Sequence, residues 1–441
     1  MRYLLVIGIY LFAYFFARYC SSKKIEGYII TCFVITLGLR ITFFSIGESK
    51  VWLVRYTTDY FNMSLINLIA TYFEMRVIVN IFVKEKYRIK KSCILPLLYV
   101  MVNIISIVQA GNKMAAIMAS LRAIELLFIF IYFSVCFNDK TQICAFYRGV
   151  KISSVYVSVI ALIQKVKGGA IGLAFLGEMQ SGFRTHAISG VASSGVSGLF
   201  EHSGDLALFC VFVFILVLFG RKYYKNRYTY FANIILVLVA ILFSDSRMSI
   251  LMVAIAVIIF IFKSQKGFKL NKEAGILIIA GFIILPMLLL FNSHLISMIS
   301  SVFQKGTFDV RLSQWTIAFE EILDNPFWGH GANNYVDFMY TNRNDLYRAV
   351  WNYQNPVHNT FLLLWFELGI WGLVVNLLIQ INFIKPLFRK KNQDSLSIAS
   401  ATFVLISLIY WLFDWGFMKS PAIYFLWIAY GLAVNKVGDI Y

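Results

Sequence analysis

Side chains suited to acid–base chemistry collect in and just after one polar stretch of this 441-residue chain, residues 292–356. His330 lies in that stretch between two glycines, and His358 follows it at the start of a new apolar run. A histidine at a helix N-terminus is disfavoured as a cation by the helix dipole, and a neutral imidazole suits a general base. His358 is the leading candidate for catalysis, and His330 ranks below it. The alternative is a polar helix-start residue bonded to backbone, with Asn359 as the cap.

Arginines are the side chains best suited to an anionic substrate group, because a guanidinium pairs with phosphate through parallel hydrogen bonds. Arg247 follows a three-residue polar turn between two apolar runs, and an ionisable group at membrane depth is a functional candidate. Arg184 lies in a glycine-rich segment, and Arg311 opens a predicted helix, where a cation opposes the helix dipole. Structural explanations stay open: snorkelling or pairing with Asp245 for Arg247, solvation for Arg184, and pairing with Asp309 for Arg311.

The composition indicates a membrane protein. Hydrophobic residues make up 60% of the chain and charged residues 14%, with a mean hydropathy of +0.74, whereas soluble domains carry about 25% charged residues. Apolar runs long enough to cross a hydrocarbon core of about 30 Å must be helical, because lipid satisfies no backbone group. The sequence predicts an all-α polytopic protein with about thirteen spans. The spans are 3–19, 27–45, 62–83, 93–110, 114–136, 150–165, 203–219, 229–243, 248–262, 274–291, 357–381, 396–413 and 421–435.

The net charge of +18 is explained by membrane topology, so no nucleic-acid partner is expected. Lysine and arginine gather in alternate loops, which the positive-inside rule places in the cytoplasm, with the N-terminus outside and the C-terminus inside. The basic loops lie near residues 18–24, 84–91, 140–151, 221–227, 263–272 and 385–391. The outer face then receives segments 166–202, 244–247 and 292–356.

Three domains follow from this topology. Residues 1–291 form a transmembrane helical bundle that includes the glycine-rich external segment 166–202. Residues 292–356 form an external helical loop domain, and residues 357–441 form the C-terminal transmembrane helices. No cysteine lies in the long external segment, so no disulfide framework is predicted.

The loop domain contains further candidates for substrate contact. Apolar residues at helical spacing predict a helix that opens near Arg311 and stops before Pro326, then a tight turn to Gly331 and a second polar helix over about 333–345. Trp315 in the first helix is suited to stacking on a sugar ring or to packing in the loop core. Glu367, three turns into the helix after His358, is expected to be a structural partner or a substrate contact. No metal is expected, because no His, Cys or Asp cluster has ligand spacing.

Charged residues inside the predicted spans support a different class of function. Glu74, Arg76, Arg122 and Glu125 fall in apolar runs, where ionisable groups are costly and often line a transport pathway. A transporter or a flippase for lipid-linked oligosaccharides would use them. That alternative does not account for the histidines and arginines of the external segment.

Several motifs together resemble the bacterial O-antigen ligase/polymerase family. Ser246-Arg247-Met248-Ser249 stands between two spans, and Arg311 precedes Trp315 by four positions. The third and fourth motifs are Asn325-Pro326-Phe327-Trp328-Gly329-His330-Gly331 and His358-Asn359-Thr360-Phe361-Leu362, the latter followed by Glu367-Leu368-Gly369-Ile370-Trp371-Gly372-Leu373. Each motif is loose, but the ordered set over about 244–373 is specific. Arg184 fits the arginine that this family carries before its glycine-rich loop.

The resemblance implies glycosyl transfer on the outer face of the bacterial cytoplasmic (inner) membrane. The fold is expected to resemble the GT-C glycosyltransferases, with no cofactor and no obligatory metal. The donor is expected to be a glycan on undecaprenyl diphosphate. His358, Arg247 and Arg184 would be catalytic, with inversion at the anomeric carbon. Substrate contacts would come from Arg311, His330, Trp315, Asn359 and Glu367.

The leading hypothesis is a repeat-unit polymerase of O-antigen or capsular type, working beside membrane lipid with a chain-length regulator and a flippase as partners. An O-antigen ligase, which transfers the glycan to lipid A–core, is the alternative within the family. Polymerase is favoured because nothing in the sequence indicates a lipid A–core acceptor.

Overall fold

The computed structural model describes residues 2–20, 22–46, 61–179, 185–188, 191–264, 307–342, 356–389, 394–419 and 421–435. These residues form fourteen α-helices and two antiparallel two-stranded hairpins. The first nine helices are α1 (Arg2–Tyr19), α2 (Lys23–Thr36), α3 (Leu65–Ile78), α4 (Ile94–Ser106), α5 (Lys113–Ile131), α6 (Lys140–Lys167), α7 (Ser203–Phe219), α8 (Arg227–Phe243) and α9 (Arg247–Ser264). The others are α10 (Thr307–Asp324), α11 (Tyr335–Asn342), α12 (Thr360–Ile384), α13 (Ser395–Tyr410) and α14 (Ala422–Ala433). The strands are β1 (Thr42–Ile46), β2 (Phe61–Ser64), β3 (Thr185–Ile188) and β4 (Val191–Ser194).

The helices are those of a membrane protein. Among the described residues, four helical stretches are long and apolar enough to span a bilayer: Leu65–Val83, Lys113–Cys136, Lys140–Lys167 and Thr360–Phe388. Six shorter apolar helices accompany them. The prediction of an α-helical membrane protein is therefore confirmed, whereas the number of spans stays a prediction. The predicted span 274–291 lies outside the described residues.

The predicted second span, 27–45, is wrong at its end. Helix α2 stops at Thr36, and Thr42–Ile46 form β1, which pairs with β2 from Thr42 opposite Ser64 to Ile46 opposite Phe61. The segment after Gly38 is rich in β-branched and aromatic residues, which favour a paired strand over a continued helix.

The chain divides into two compact units, residues 1–153 together with 310–441, and residues 154–309. The predicted domain boundaries at 291 and 357 do not follow this division. From Val310 onwards, the described loop residues belong to the unit that contains α1–α5 and α11–α14.

Loops predicted to be cytoplasmic gather at one end of the first unit. Lys23 pairs with Asp139, and the Tyr87 hydroxyl donates to Asn138 Oδ1 at 3.4 Å. The hydrogen bonds from Lys23 and Thr141 hold the pKa of the Asp139 carboxyl at about 2, below its usual range. The carboxylate therefore stays ionised beside the lysine.

Loops predicted to be external gather at the other end of the same helices. The backbone N–H of Asn112, before α5, donates to Asn334 Oδ1 at 2.7 Å, and Thr360 N–H donates to the Trp411 carbonyl at 2.8 Å. The predicted topology requires this segregation, because α5 connects the two groups of loops.

Charged side chains within the spans of the first unit have protein partners. Arg76 Nη2 lies 3.2 Å from Glu26 Oε2. The Glu125 carboxylate accepts from Asn67 Nδ2 at 3.0 Å and from the Tyr424 hydroxyl at 2.9 Å. Buried charges are retained when they are paired and hydrogen-bonded, so these contacts account for Arg76 and Glu125 without a conduit.

Candidate functional site

The described part of the segment predicted to be external, residues 307–342 and Pro356, folds around the first two turns of α12. Helix α10 ends at Asp324, before Pro326, and α11 follows at Tyr335–Asn342, which confirms both predicted helices. Their apolar faces close a core with the start of α12 and with the turn between α13 and α14. The buried members are Ile317, Ala318, Ile322, Tyr335, Val336, Met339, Val357, Leu363, Phe366 and Trp415, with Trp315 partly buried against them. The prediction that Trp315 packs in the loop core therefore has structural support.

Helix α12 is broken at Gly369, which the predicted span 357–381 did not include. Gly369 has φ +67°, and the N–H of Ile370 donates to the Pro326 carbonyl at 2.9 Å in place of a helical acceptor. A Cβ on Gly369 would lie 2.1 Å from the Phe327 carbonyl oxygen, so only glycine allows this close approach. The part of α12 before Gly369 belongs to the loop core, and the part after it continues as the span.

His330 is held within this packing. Its backbone N–H donates to the Phe366 carbonyl at 2.8 Å, and its Nε2 donates to the Glu321 carbonyl at 3.1 Å. The imidazole centroid lies 4.5 Å from the Phe366 ring and 4.3 Å from the Phe338 ring. These contacts give His330 a structural role between α10, α11 and α12.

Glu367 also serves the fold. The side chain is 3% exposed, and its carboxylate accepts from the backbone N–H of Tyr335 at 3.3 Å, at the N-terminus of α11. A carboxyl oxygen at this position satisfies a free backbone donor at the start of the helix. The structure thus supports the predicted structural partner and leaves little of Glu367 for a substrate.

His358 is oriented by two consecutive residues of α10. The Nδ1 atom lies 3.0 Å from Gln314 Oε1, and the Trp315 indole N–H donates to the His358 carbonyl at 3.2 Å. An amide oxygen only accepts hydrogen bonds, so in the neutral ring Nδ1 carries the proton. The lone pair then stays on Nε2, where a substrate proton would be received.

Asn359 fixes the start of α12 beside the imidazole. Its Oδ1 accepts from Phe361 N–H at 3.0 Å and Leu362 N–H at 3.1 Å, and its Nδ2 donates to the Leu412 carbonyl at 3.3 Å. The predicted capping role is confirmed. Because these bonds use the amide, Asn359 positions His358, and direct substrate contact by Asn359 stays a prediction.

Burial and three nearby charged side chains, Arg311, Lys419 and Asp414, set the pKa of the half-buried His358. Burial lowers the pKa of His358, and although Asp414 raises it, Arg311 and Lys419 lower it further. Burial alone would raise the pKa of Asp414, but His358, Lys419 and Arg311 hold that pKa below its usual range. The site at neutral pH is therefore a neutral imidazole and an ionised carboxylate within a positive environment. This charge state suits proton abstraction beside an anion.

Asp414 and Lys419 are held in the turn between α13 and α14. Asp414 Oδ1 accepts from Trp415 N–H at 2.7 Å and from Gly416 N–H at 3.2 Å. Lys419 Nζ lies 4.3 Å from the centre of the Trp415 ring. These contacts fix the carboxylate and the ammonium of the turn.

Sequence reasoning missed Gln314, Asp414 and Lys419. Asp414 and Lys419 stand in the loop that the topology places outside, between the last two predicted spans, and that location was the available signal. Gln314 directly precedes the candidate Trp315 and lies one helical turn after Arg311, so helical spacing places it beside that arginine.

The second unit contains two predicted catalytic arginines. Arg247 is half-buried and opens α9, directly after the turn that includes Asp245 at φ +54°. Arg184 lies outside the described residues. The structure therefore brings together His358, Arg311, Trp315 and Asn359, whereas the roles of Arg184 and Arg247 stay predictions.

The described part of the glycine-rich segment is organised around a carboxylate. Glu178 accepts backbone N–H groups from Gly172 at 2.8 Å and from its two neighbours, Ile171 and Leu173. Gln164 Nε2 also donates to Glu178, at 2.7 Å. Burial alone would raise the pKa of Glu178, but these hydrogen bonds lower it. Glycine at high density disfavours a regular helix, and in this segment the internal hydrogen bonds to Glu178 hold the irregular backbone.

Within the described residues, no group of three or more His, Cys, Asp or Glu residues could hold a metal ion. Arg311 and Lys419 near His358 are cationic, and the imidazole itself is neutral. Such groups suit an anion better than a divalent cation.

Residues 232–377 match the family model described as O-antigen ligase. No curated protein matches the chain. The matched segment includes Arg247, α10, the Pro326 turn, His358 and Gly369. The predicted resemblance to the O-antigen ligase/polymerase family is thus confirmed for that part of the chain.

The described helices and this match together indicate a helical membrane protein in which residues 232–377 are similar to the O-antigen ligase family.

Proposed function

We propose that the protein is a polysaccharide repeat-unit polymerase of the outer face of the bacterial cytoplasmic membrane. It transfers a glycan from undecaprenyl diphosphate to the next lipid-linked repeat unit. The observation that carries the proposal is the neutral His358 imidazole, oriented by Gln314 and flanked by Arg311 and Lys419. The family match over 232–377 supports glycosyl transfer as the reaction class.

In the proposed reaction, His358 Nε2 accepts the proton of the attacking acceptor hydroxyl. The hydroxyl oxygen forms a bond to the anomeric carbon while the bond from that carbon to the diphosphate oxygen breaks. The diphosphate leaves with the electron pair, and attack opposite to it inverts the anomeric configuration. General-base catalysis of this kind contributes about 10²–10⁴-fold to the rate.

The departing diphosphate requires positive charge. Arg311 and Lys419 lie close enough to His358 to act on its pKa, and preorganised cations stabilise charge that develops in a transition state. We retain Arg184 and Arg247 as further phosphate ligands on the basis of the family resemblance. With these cations the reaction is proposed to need no divalent metal, and activity that persists in EDTA is its expected signature.

Trp315 is placed to contribute through the backbone of His358, to which its indole donates. Stacking of Trp315 on a sugar ring remains part of the proposal for substrate binding. Membrane lipid, a chain-length regulator and a flippase are the proposed partners.

The family model's description, O-antigen ligase, favours one second candidate: transfer of the same glycan to lipid A–core. Both reactions share the donor, the base and the cations, and they differ only in the acceptor. The acceptor supplied in the assay therefore separates them.

The test uses purified full-length protein in lipid with repeat units on undecaprenyl diphosphate. Wild type is expected to form a ladder of polymer with these units alone, and His358→Ala to lose about 10²–10⁴-fold of the rate. Thr316→Ala is the matched control, since Thr316 is exposed on α10 and its hydroxyl bonds only to the Leu312 carbonyl. If product forms only when lipid A–core is added, the protein is a ligase and not a polymerase.

In cells, the same variant tests the transport alternative. If His358→Ala leaves single repeat units exported but not polymerised, the transferase proposal is supported. If repeat units instead accumulate inside, the protein moves its substrate and the proposal is wrong.

A further inference from the structure

The turn Pro326–Gly331 contacts α12 at Gly369, where α12 passes from the loop core into the membrane span. The Pro326 carbonyl accepts from the Trp365 indole N–H at 3.0 Å and from Ile370 N–H at 2.9 Å. These residues flank the break at Gly369 on both sides, so the turn is fixed in height relative to α12.

The outer turn between α4 and α5 lies at the same level. The N–H of Ala332 donates to Ser106 Oγ at 3.1 Å. A Cβ on Gly331 would lie 2.5 Å from Ala110 Cβ, so the two turns are in contact. Val108 of that outer turn is 74% exposed. An exposed apolar side chain therefore lies at about the same height along the helices as Gly369.

Below this level the helical stretch has the length of a bilayer core. Gly369 and Arg389 are twenty positions apart. The chain between them is α12 to Ile384 and then the 3-10 turn Lys385–Phe388, which together rise by about 30 Å and match the hydrocarbon thickness. Arg389 belongs to the predicted cytoplasmic loop. Between them, exposed apolar residues recur on one face at helical spacing. They are Trp371, Val374, Leu378 and Ile381, exposed by 40–52%.

Phe327 and Trp328 lie at the outer end of this span-length stretch, because the Phe327 backbone is in close contact with Gly369. Phe327 is 60% exposed and Trp328 is 52% exposed, although both belong to a turn held by backbone hydrogen bonds. Aromatic side chains are enriched at the membrane–water interface, where the ring lies in the headgroup region. Their level, at the outer end of the span-length part of α12, identifies the outer leaflet as the surface that covers them.

We propose that Phe327 and Trp328 form an interfacial anchor in the outer leaflet of the bilayer. The anchor inserts two aromatic rings at the hydrocarbon boundary and holds the loop core, with His358, at a fixed height on the aqueous side. The partner is a lipid surface, and the anchor does not depend on the proposed transferase reaction.

Site-directed spin labelling of the full-length chain in lipid nanodiscs tests the anchor. The six native cysteines are replaced by alanine, and single cysteines carry the label at Phe327→Cys and Trp328→Cys. Val374→Cys is the lipid reference, and Thr341→Cys, at the exposed polar end of α11, is the aqueous reference. Accessibility to oxygen, which partitions into lipid, is compared with accessibility to a water-soluble nickel chelate.

The oxygen-to-nickel ratio at 327 and 328 is expected to approach that at 374 and to exceed that at 341 several-fold. A ratio at both positions equal to that at 341 would overturn the proposal.

A second measurement keeps the native cysteines, in case the alanine background does not fold. Tryptophan fluorescence is recorded in nanodiscs whose lipids carry bromine near the headgroup end of the acyl chain. Wild type is expected to show a larger quenched fraction than Trp328→Phe. Equal quenching in the two proteins would place Trp328 away from lipid and refute the anchor.

Discussion

Replacing Gln314 by glutamate tests the link between α10 and the proposed base. In the wild type, Gln314 Oε1 lies 3.0 Å from His358 Nδ1, and burial lowers the pKa of His358. A carboxylate at this position would lie about 4 Å from the imidazolium charge, and opposite charges at that distance attract by about 4 kcal/mol at an effective dielectric of about 20. This is an upper bound, because His358 is half-buried and Arg311 competes for the new carboxylate.

The substitution is therefore expected to raise the pKa of His358 and to change how the rate of polymer formation depends on pH. A general base works only when deprotonated, so the wild-type rate is retained at neutral pH and lost as pH falls through the lowered pKa. In Gln314→Glu that loss begins at higher pH, so the acid limb of kcat/KM moves towards neutrality. The measurement is the initial rate of polymer formation from lipid-linked repeats across pH, with protein integrity monitored at each point.

Gln314→Leu is the matched control, since it removes the acceptor without adding charge. Its rate is expected to fall at every pH, because the ring is no longer held with Nε2 towards the substrate, while its acid limb does not move upwards. A folded Gln314→Glu protein with the wild-type acid limb would refute His358 as the base or Gln314 as its partner.

Two further substitutions test the surroundings of the site. Asp414→Asn removes the negative charge that raises the pKa of His358 and keeps the Oδ1 acceptor, so the acid limb in the same assay is expected to move to lower pH; movement upwards would contradict the assigned charges. Gly369→Ala places a methyl group 2.1 Å from the Phe327 carbonyl oxygen at φ +67°, which costs at least about 1–3 kcal/mol in backbone strain alone. The thermal unfolding midpoint in detergent is expected to fall, whereas Gly8→Ala, where a Cβ meets nothing within 4 Å, should not lower it; equal midpoints would show that the break at Gly369 is not rigid.

Local features of the site could be predicted from the sequence because local rules determine them. Pro326 cannot continue a helix, so α10 ends at Asp324. Asn359 caps α12 because its side chain satisfies the first helix donors. Hydropathy placed most of the described apolar helices within a few residues, but α6 begins at Lys140, ten residues before its predicted span. The strand at Thr42–Ile46 was missed because an apolar β-rich stretch resembles a span.

The remaining features depend on contacts between segments far apart in the sequence. Asp414 reaches His358 only because the α13–α14 turn packs against the start of α12, as the Thr360 hydroxyl bond to the Asp414 carbonyl at 2.6 Å shows. Gly369 looked like an isolated glycine in a helix, which is tolerated in many helices. Its backbone conformation is explained only by the approach of the Pro326 turn, which no local pattern encodes.

The position of His358 depends on both ends of α10. At one end, Gln314 and Trp315 hold the ring and the carbonyl of His358. At the other end, α10 continues into the Pro326 turn, which is fixed at Gly369. Helix α10 therefore spans the distance between the base and the outer end of the membrane span. A shift of the turn at Gly369 is transmitted along α10 to the imidazole, so a backbone break far from the reacting atoms contributes to the geometry of the base.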